Sequence, residues 1–147
     1  MESEIEEKLY GVFSSVATSL GYSDVHGRII AALISSKEPL SLQETAKKTG
    51  YSLAAVSLSL DLLEIIGMIK KIKNPNDRKL YARIEGDILE GMRNAFLARI
   101  HLSINSTLSE LESYKGGKNA ETIRILEKEI NRLRRYVEEL AKVNVPK

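Results

Sequence analysis

Six basic side chains crowd into the stretch 70–83. Lys70, Lys71, Lys73, Arg78, Lys79 and Arg83 share it with one carboxylate, Asp77, for a local charge of +5 in a chain whose formal net charge is +2. Cations at that density lower the energy of a nearby anion, so the stretch is a candidate phosphate contact; the alternative is an ordinary solvated surface strand. Little else in the chain could do chemistry. There is no cysteine, which removes disulfides, thiolate zinc sites and cysteine nucleophiles. The two histidines, His26 and His101, have no third partner near them in sequence for a triad or a metal site. Gly116-Gly117 lacks the flanking pattern of a phosphate cradle. The reading is of a non-enzyme with no cofactor and no bound metal. His26 reads as a half-buried structural residue or, less simply, as the lining of a small-molecule cavity; His101 reads as a surface or interface residue.

The rest of the chain bounds the setting of those cations. Its 147 residues suit one compact domain, with room for a helical extension. Hydrophobic residues make up 43% and charged residues 29%, which fits neither a disordered chain nor a membrane protein. No apolar run approaches the roughly 20 residues that span a bilayer. The acidic start, Glu2, Glu4, Glu6 and Glu7, is the reverse of a targeting peptide. A cytoplasmic protein with no membrane partner is expected.

Spacing then gives the elements that hold the basic stretch. Ile5, Leu9, Val12, Phe13, Val16 and Leu20 recur at steps of three and four, which predicts an amphipathic helix over 4–20. Ser23 or Asp24 can cap a second helix running to about Ser36, with Val25, Ile29, Ile30, Leu33 and Ile34 as its apolar set. Ser41-Leu42-Gln43-Glu44 is a capping box, and it opens a short helix, 42–49. Gly50-Tyr51-Ser52 breaks that helix, and Ser52 caps the next, 53–66, whose buried stripe should be Val56, Leu60 and Leu63. Two β-prone segments follow, 68–73 and 79–84, around Asn74-Pro75-Asn76-Asp77, which is dense in turn residues. They read as a hairpin with Tyr81 in its core. A helix over 86–113 carries Leu89, Met92, Phe96, Ile100, Ile104, Leu108 and Leu111. After the turn at 115–118, a last helix, 120–142, places Ile123, Leu126, Ile130, Leu133, Val137 and Leu140 at heptad spacing. Gly11 and Gly27 fall inside helical patterns, where close helix–helix approach or simple tolerance would account for them.

The order helix, short capped helix, glycine turn, helix, basic hairpin is a winged helix-turn-helix. Such a fold presents its second helix to the major groove of duplex DNA and swings the hairpin toward the backbone or the minor groove. The fold class expected is mainly α with a small β-wing. Residues 1–21 would form an N-terminal helix, 22–85 the winged helix-turn-helix and 86–147 a C-terminal arm. The exposed aliphatic stripes of the terminal helices would make a homodimer, through Ile5, Leu9 and Phe13 and through Ile123, Leu126, Ile130, Leu133, Val137 and Leu140. Ser52, Ala54, Ala55, Ser57 and Ser59 lie toward the start of the second reading helix, off its Val56/Leu60/Leu63 face, and are the candidates for the groove surface. Ser41, which opens the first reading helix, and Tyr51, at the turn, join them as candidate contacts; for Tyr51 packing is the alternative. No Arg, Lys, Asn or Gln occurs at 52–60, and those are the side chains that make bidentate base contacts.

The segment Gly21-Tyr22-Ser23-Asp24-Val25-His26-Gly27-Arg28-Ile29 resembles the opening of the GbsR group of MarR-like transcription regulators. Leu40–Ala46 is similar to that group's first reading helix, Ser52–Gly67 to its recognition helix, and Asn76-Asp77-Arg78-Lys79 to its wing. The match covers about residues 21–85. The resemblance implies that Arg78 is the wing-tip cation, set in or over a narrow minor groove. It implies that Asp77 orients Arg78 through a short ion pair and that Lys73 and Lys79 meet phosphates, with Asn76 at the same tip. It also implies a dimeric regulator of transcription on double-stranded DNA, with a small-molecule effector between the dimer arms and the DNA-binding lobes. Two other readings fit the sequence. One is a non-specific architectural DNA-binding protein, favoured by a second helix without a basic residue and by the basic wing; the other is a protein-interaction adaptor, favoured by the charged last helix.

Overall fold

A computed structural model describes residues 2–147, with side chains from residue 4 onward. The chain order is α1 (Glu2–Ser19), α2 (Asp24–Ser35), β1 (Leu40–Ser41), α3 (Leu42–Thr49), α4 (Leu53–Ile65), β2 (Ile69–Lys73), β3 (Leu80–Ile84), α5 (Ile88–Ser113) and α6 (Ala120–Leu140). The residues divide into two compact units, one up to Gly91 and one from Met92 onward.

In the first unit, serines start three helices. Ser23 accepts from the His26 amide, Ser52 accepts from the Ala55 amide at 3.1 Å, and Ser41 forms the full capping box with Glu44. Each cap satisfies a backbone donor that has no partner inside its helix. Gly50 ends α3 with φ of 79°, a conformation that costs glycine nothing and lets α4 turn away sharply. The core consists of Ile29, Ile30, Leu40, Val56, Leu60, Leu63, Met68, Ile69 and Ala82. It seats α4 on α2 and on the sheet.

The hairpin β2–β3 matches the sequence expectation to within a residue at its outer ends. A third strand, the two-residue β1, was not expected. It pairs antiparallel with β3, Leu40 opposite Ala82 and Ser41 opposite Tyr81, so the sheet order is β1-β3-β2. This pairing holds the wing to the start of the helix pair.

Helix α1 packs differently from its apolar pattern. Tyr10, Ser14 and Ala17 are its buried residues, whereas Ile5, Leu9, Val12 and Val16 are more than half exposed. The reason is Gly27. A Cβ built there would lie 2.8 Å from Ser14 Cα and 3.0 Å from Ala17 Cβ. Small residues on both helices bring α1 and α2 into backbone contact, and the large aliphatics are left on the far side. Close approach is thus the role of Gly27. Gly11, by contrast, has room: its nearest neighbour would be Arg28 Nη2 at 3.6 Å. Gly27→Ala should lower stability, because overpacking of about 1–3 kcal/mol outweighs a helix-propensity gain of up to about 1 kcal/mol. Thermal unfolding should show a midpoint a few degrees lower, and an unchanged or higher midpoint would contradict the tight crossing.

In the second unit α5 and α6 pack as a helical hairpin. Leu97, Ile104 and Val137 form its core, with Ile100, Leu108, Ile130 and Leu140 against them. The α6 seam is therefore divided. Ile123 and Val137 are buried, while Leu126 and Leu133 remain 48% and 44% exposed. The single chain satisfies one half of the heptad pattern and leaves the other half open.

Candidate nucleic-acid interface

The wing tip is the loop Pro75–Arg78. It is closed by the Asn74 amide donating to the Lys79 carbonyl at 3.0 Å and by the Arg78 amide donating to the Asn74 carbonyl at 2.9 Å. Inside it, the Asn74 side chain accepts from the Asn76 amide and the Asp77 carboxylate from the Lys79 amide, both at 2.9 Å. The Tyr81 hydroxyl donates to the other Asp77 oxygen at 2.7 Å. These bonds favour the ionised carboxylate and hold the Asp77 pKa below the ordinary range, the Tyr81 hydroxyl being the main cause. The ion pair that the resemblance implied between Asp77 and Arg78 is absent among the described residues. Asp77 braces the loop through Tyr81 and the Lys79 amide instead. Arg78 has φ of 58°, and its side chain, like those of Asn76 and Lys79, is exposed at the tip.

The six cations of the stretch separate into two kinds. Lys71 is tied to α4: its ammonium pairs with Asp61 and, at 3.6 Å, with Glu64, and its amide donates to Glu64 at 2.9 Å. Arg83 pairs with Glu85 at 3.4 Å. Lys70, Lys73, Arg78 and Lys79 are exposed and form no ion pair among the described residues. Lys70 also stands directly opposite Arg83 across the strand pair, an arrangement of like charges that costs energy until an anion sits between them.

The candidates on the helix pair also separate. Ser52 and Ala54 are exposed, and Ala55 and Ser57 are partly so. Ser59 is 6% exposed and lies on the core side of α4 with Val56 and Leu63, so it does not belong to a groove surface. Its step of three from Val56 carries the signal, since the two share a helix face. Ser41 is 3% exposed and its hydroxyl is used by the capping box, so it is a structural cap. Leu58 went unpredicted: it is 72% exposed on the outer side of α4, followed by Asp61, Leu62 and Ile65.

Tyr51 takes the packing role. Its hydroxyl donates to Asp24 Oδ2 at 2.5 Å, while Ser14 donates to Asp24 Oδ1 at 2.6 Å and Arg28 Nε to Oδ2 at 3.0 Å. One carboxylate thus joins α1, α2 and the turn before α4. The Ser14 and Tyr51 bonds hold the Asp24 pKa below the ordinary range. A depressed folded-state pKa stabilises the fold above the unfolded value and loses that contribution as pH falls through the folded one. Asp24→Asn should therefore lower stability at neutral pH and flatten its decline below about pH 4. Urea unfolding at several pH values checks this, and parallel curves for both proteins would count against it. His26 is partly buried; desolvation holds its pKa below the ordinary range, and its Nδ1 lies 2.8 Å from the Ser23 hydroxyl. Among the described residues no cluster of three or more His, Cys, Asp or Glu could hold a metal, and no helix is long and apolar enough to cross a membrane.

No protein-family profile matches the sequence, and no curated protein is similar to it. Solved structures are. A crystal structure described as a transcriptional regulator superposes with a TM-score of 0.71 at 16% identity, covering 93% of this chain and 95% of that one. A MarR-family transcriptional regulator from Silicibacter pomeroyi gives 0.47 at 15% identity, over 97% of this chain and 90% of that one. Apo MarR from E. coli gives 0.46 at 18% identity, over 88% and 89%. The first of these likenesses establishes the fold: mainly α, a winged helix with flanking helices and a small sheet.

Proposed function

We propose that this chain is a dimeric DNA-binding transcriptional regulator, MarR-like and close to the GbsR group, that meets duplex DNA with α4 and the β2–β3 wing. The observation that carries the reading is the wing. Four exposed cations, Lys70, Lys73, Arg78 and Lys79, project from a hairpin that is otherwise braced internally by Asp77, Tyr81 and Asn74. None of the four forms an ion pair among the described residues, and phosphates are the anions such a stripe suits. The α3–α4 pair seated beside the wing gives the second element that groove binding needs. The fold shared with a solved transcriptional regulator and the sequence resemblance over 21–85 point the same way.

The dimer belongs to the same proposal. Ile5, Leu9, Val12 and Val16 on α1 and Leu126 and Leu133 on α6 are large aliphatics left open by the single chain. A second copy would bury them, with Phe13 at the margin of the first stripe. Two wings and two α4 helices would then address half-sites about 34–36 Å apart. A small-molecule effector acting through the dimer arms remains part of the resemblance-based reading.

The lack of any cation on the outer face of α4 favours a second reading, an architectural protein bound mainly through the backbone. One experiment separates them. The purified chain is mixed with fragmented genomic DNA at about 150 mM salt, and the retained fragments are sequenced. A small set sharing a palindrome with half-sites one turn apart supports the regulator. Even retention that vanishes steeply with salt supports the architectural protein. No retention at any modest salt leaves two options, a regulator that needs its effector to bind or the adaptor.

A further inference from the structure

The outer face of α4 has a composition unusual for a helix that reads bases. Its exposed or partly exposed positions in the amino-terminal half are Ser52, Leu53, Ala54, Ala55, Ser57 and Leu58. None carries a cation or an amide. The bidentate hydrogen-bond patterns that select guanine, through O6 and N7, and adenine, through N6 and N7, are closed to it. Asp61, one turn beyond Leu58, is engaged by Lys71. Ser52 is engaged in capping the helix, and a serine hydroxyl such as that of Ser57 bonds to any base edge and so discriminates little; the apolar surface this half of the helix offers the groove is the Ala54 methyl and the Leu58 side chain, one helical turn apart on the same face, with Leu58 72% exposed. The major groove displays one apolar feature that varies with sequence, the C5-methyl group of thymine.

Resting on the DNA-binding reading above, we propose that α4 selects its site by apolar contact of Ala54 and Leu58 with thymine methyl groups, so that Leu58 is a specificity-determining residue. The wing and the helix then divide the work. The cations supply affinity that is blind to sequence, and the helix supplies preference for thymine at particular steps. Each buried methyl contributes about a fourfold preference, from the transfer energy of one such group. Two contacts together give about fifteenfold.

Uracil tests this directly. It pairs as thymine does and presents the same minor groove, but lacks the methyl. The full chain is titrated into alternating A·T duplex and into the same duplex with every thymine replaced by deoxyuridine, by fluorescence anisotropy at fixed salt. The expected result is binding about fifteenfold tighter to the thymine duplex. Leu58→Ala, at a position too exposed to disturb the fold, should reduce that ratio to about fourfold or less while keeping most of the affinity for the uracil duplex. Equal affinity of the unmodified chain for both duplexes leaves DNA binding intact and overturns thymine reading. A ratio unchanged by Leu58→Ala also overturns it and assigns the face to something other than DNA, such as a protein partner. Failure to bind either duplex overturns the proposal, and the genomic-fragment experiment above decides separately whether the DNA-binding reading falls with it.

Discussion

Arg78→Glu should weaken binding to duplex DNA about ten- to a hundredfold while leaving the melting temperature nearly unchanged. The side chain is exposed and has no ion pair to lose among the described residues. The loop beneath it is held by Asn74, Asp77 and Tyr81, none of which depends on the guanidinium. Charge reversal removes a cation from the tip and places an anion against phosphate. The effect should fall evenly on all sequences, and the slope of log affinity against log salt should shrink by about one per wing. Lys73→Glu should act in the same direction, and Lys71→Glu should not, because Lys71 is committed to Asp61 and Glu64. Anisotropy titrations at several salt concentrations measure both quantities. Equal losses from Lys71→Glu and Arg78→Glu would mean that bulk charge, and not the tip, makes the contact.

The second large effect is on stability. Leu63→Ala should cost about 2–5 kcal/mol, whereas Ile65→Ala, two residues along the same helix, should stay within about 0.5 kcal/mol. Leu63 is completely buried and Ile65 is 81% exposed. The Leu63 carbonyl also accepts the Met68 amide at 2.9 Å, so the residue sits where α4 turns into the wing. Truncation leaves a cavity under that turn, and the surrounding α2 and sheet side chains cannot fully collapse into it. Urea unfolding of the two variants compares them directly. Similar losses would mean that the Ile65 face is covered in solution, which would itself be evidence for a bound partner or second copy.

Some of this was legible from the residues alone because the signals are local. Ser41 with Glu44, Ser52 before an apolar run, and glycines after 49 and 66 fix helix ends through hydrogen bonds and backbone freedom within four residues. The basic wing was equally plain in the sequence. What escaped depends on distant partners. Strand β1 is two residues long and pairs with a strand some forty positions away, so it has no alternation to read. The apolar stripe of α1 was visible, but the side that packs is chosen by Ser14, Ala17 and Gly27, whose value lies in being small. The α6 heptad could not say which half its own chain would cover. Asp77 is followed at once by two basic residues, Arg78 and Lys79, yet its strongest partner is a tyrosine four residues on, brought over by the hairpin.

The backbone at position 78 has a further consequence for how this protein could change. A residue at φ of 58° pays about 1–2 kcal/mol unless it is glycine or, to a lesser extent, asparagine or aspartate. Folding alone would therefore choose a different side chain from the one present. Two selections on a library randomised at this codon should diverge: one for thermal resistance should enrich glycine and asparagine, and one for DNA retention should return arginine. On the DNA-binding reading, the position is a place where adaptation to heat and adaptation to DNA compete, and a thermostabilised variant obtained without attention to binding would lose affinity for DNA first at this residue.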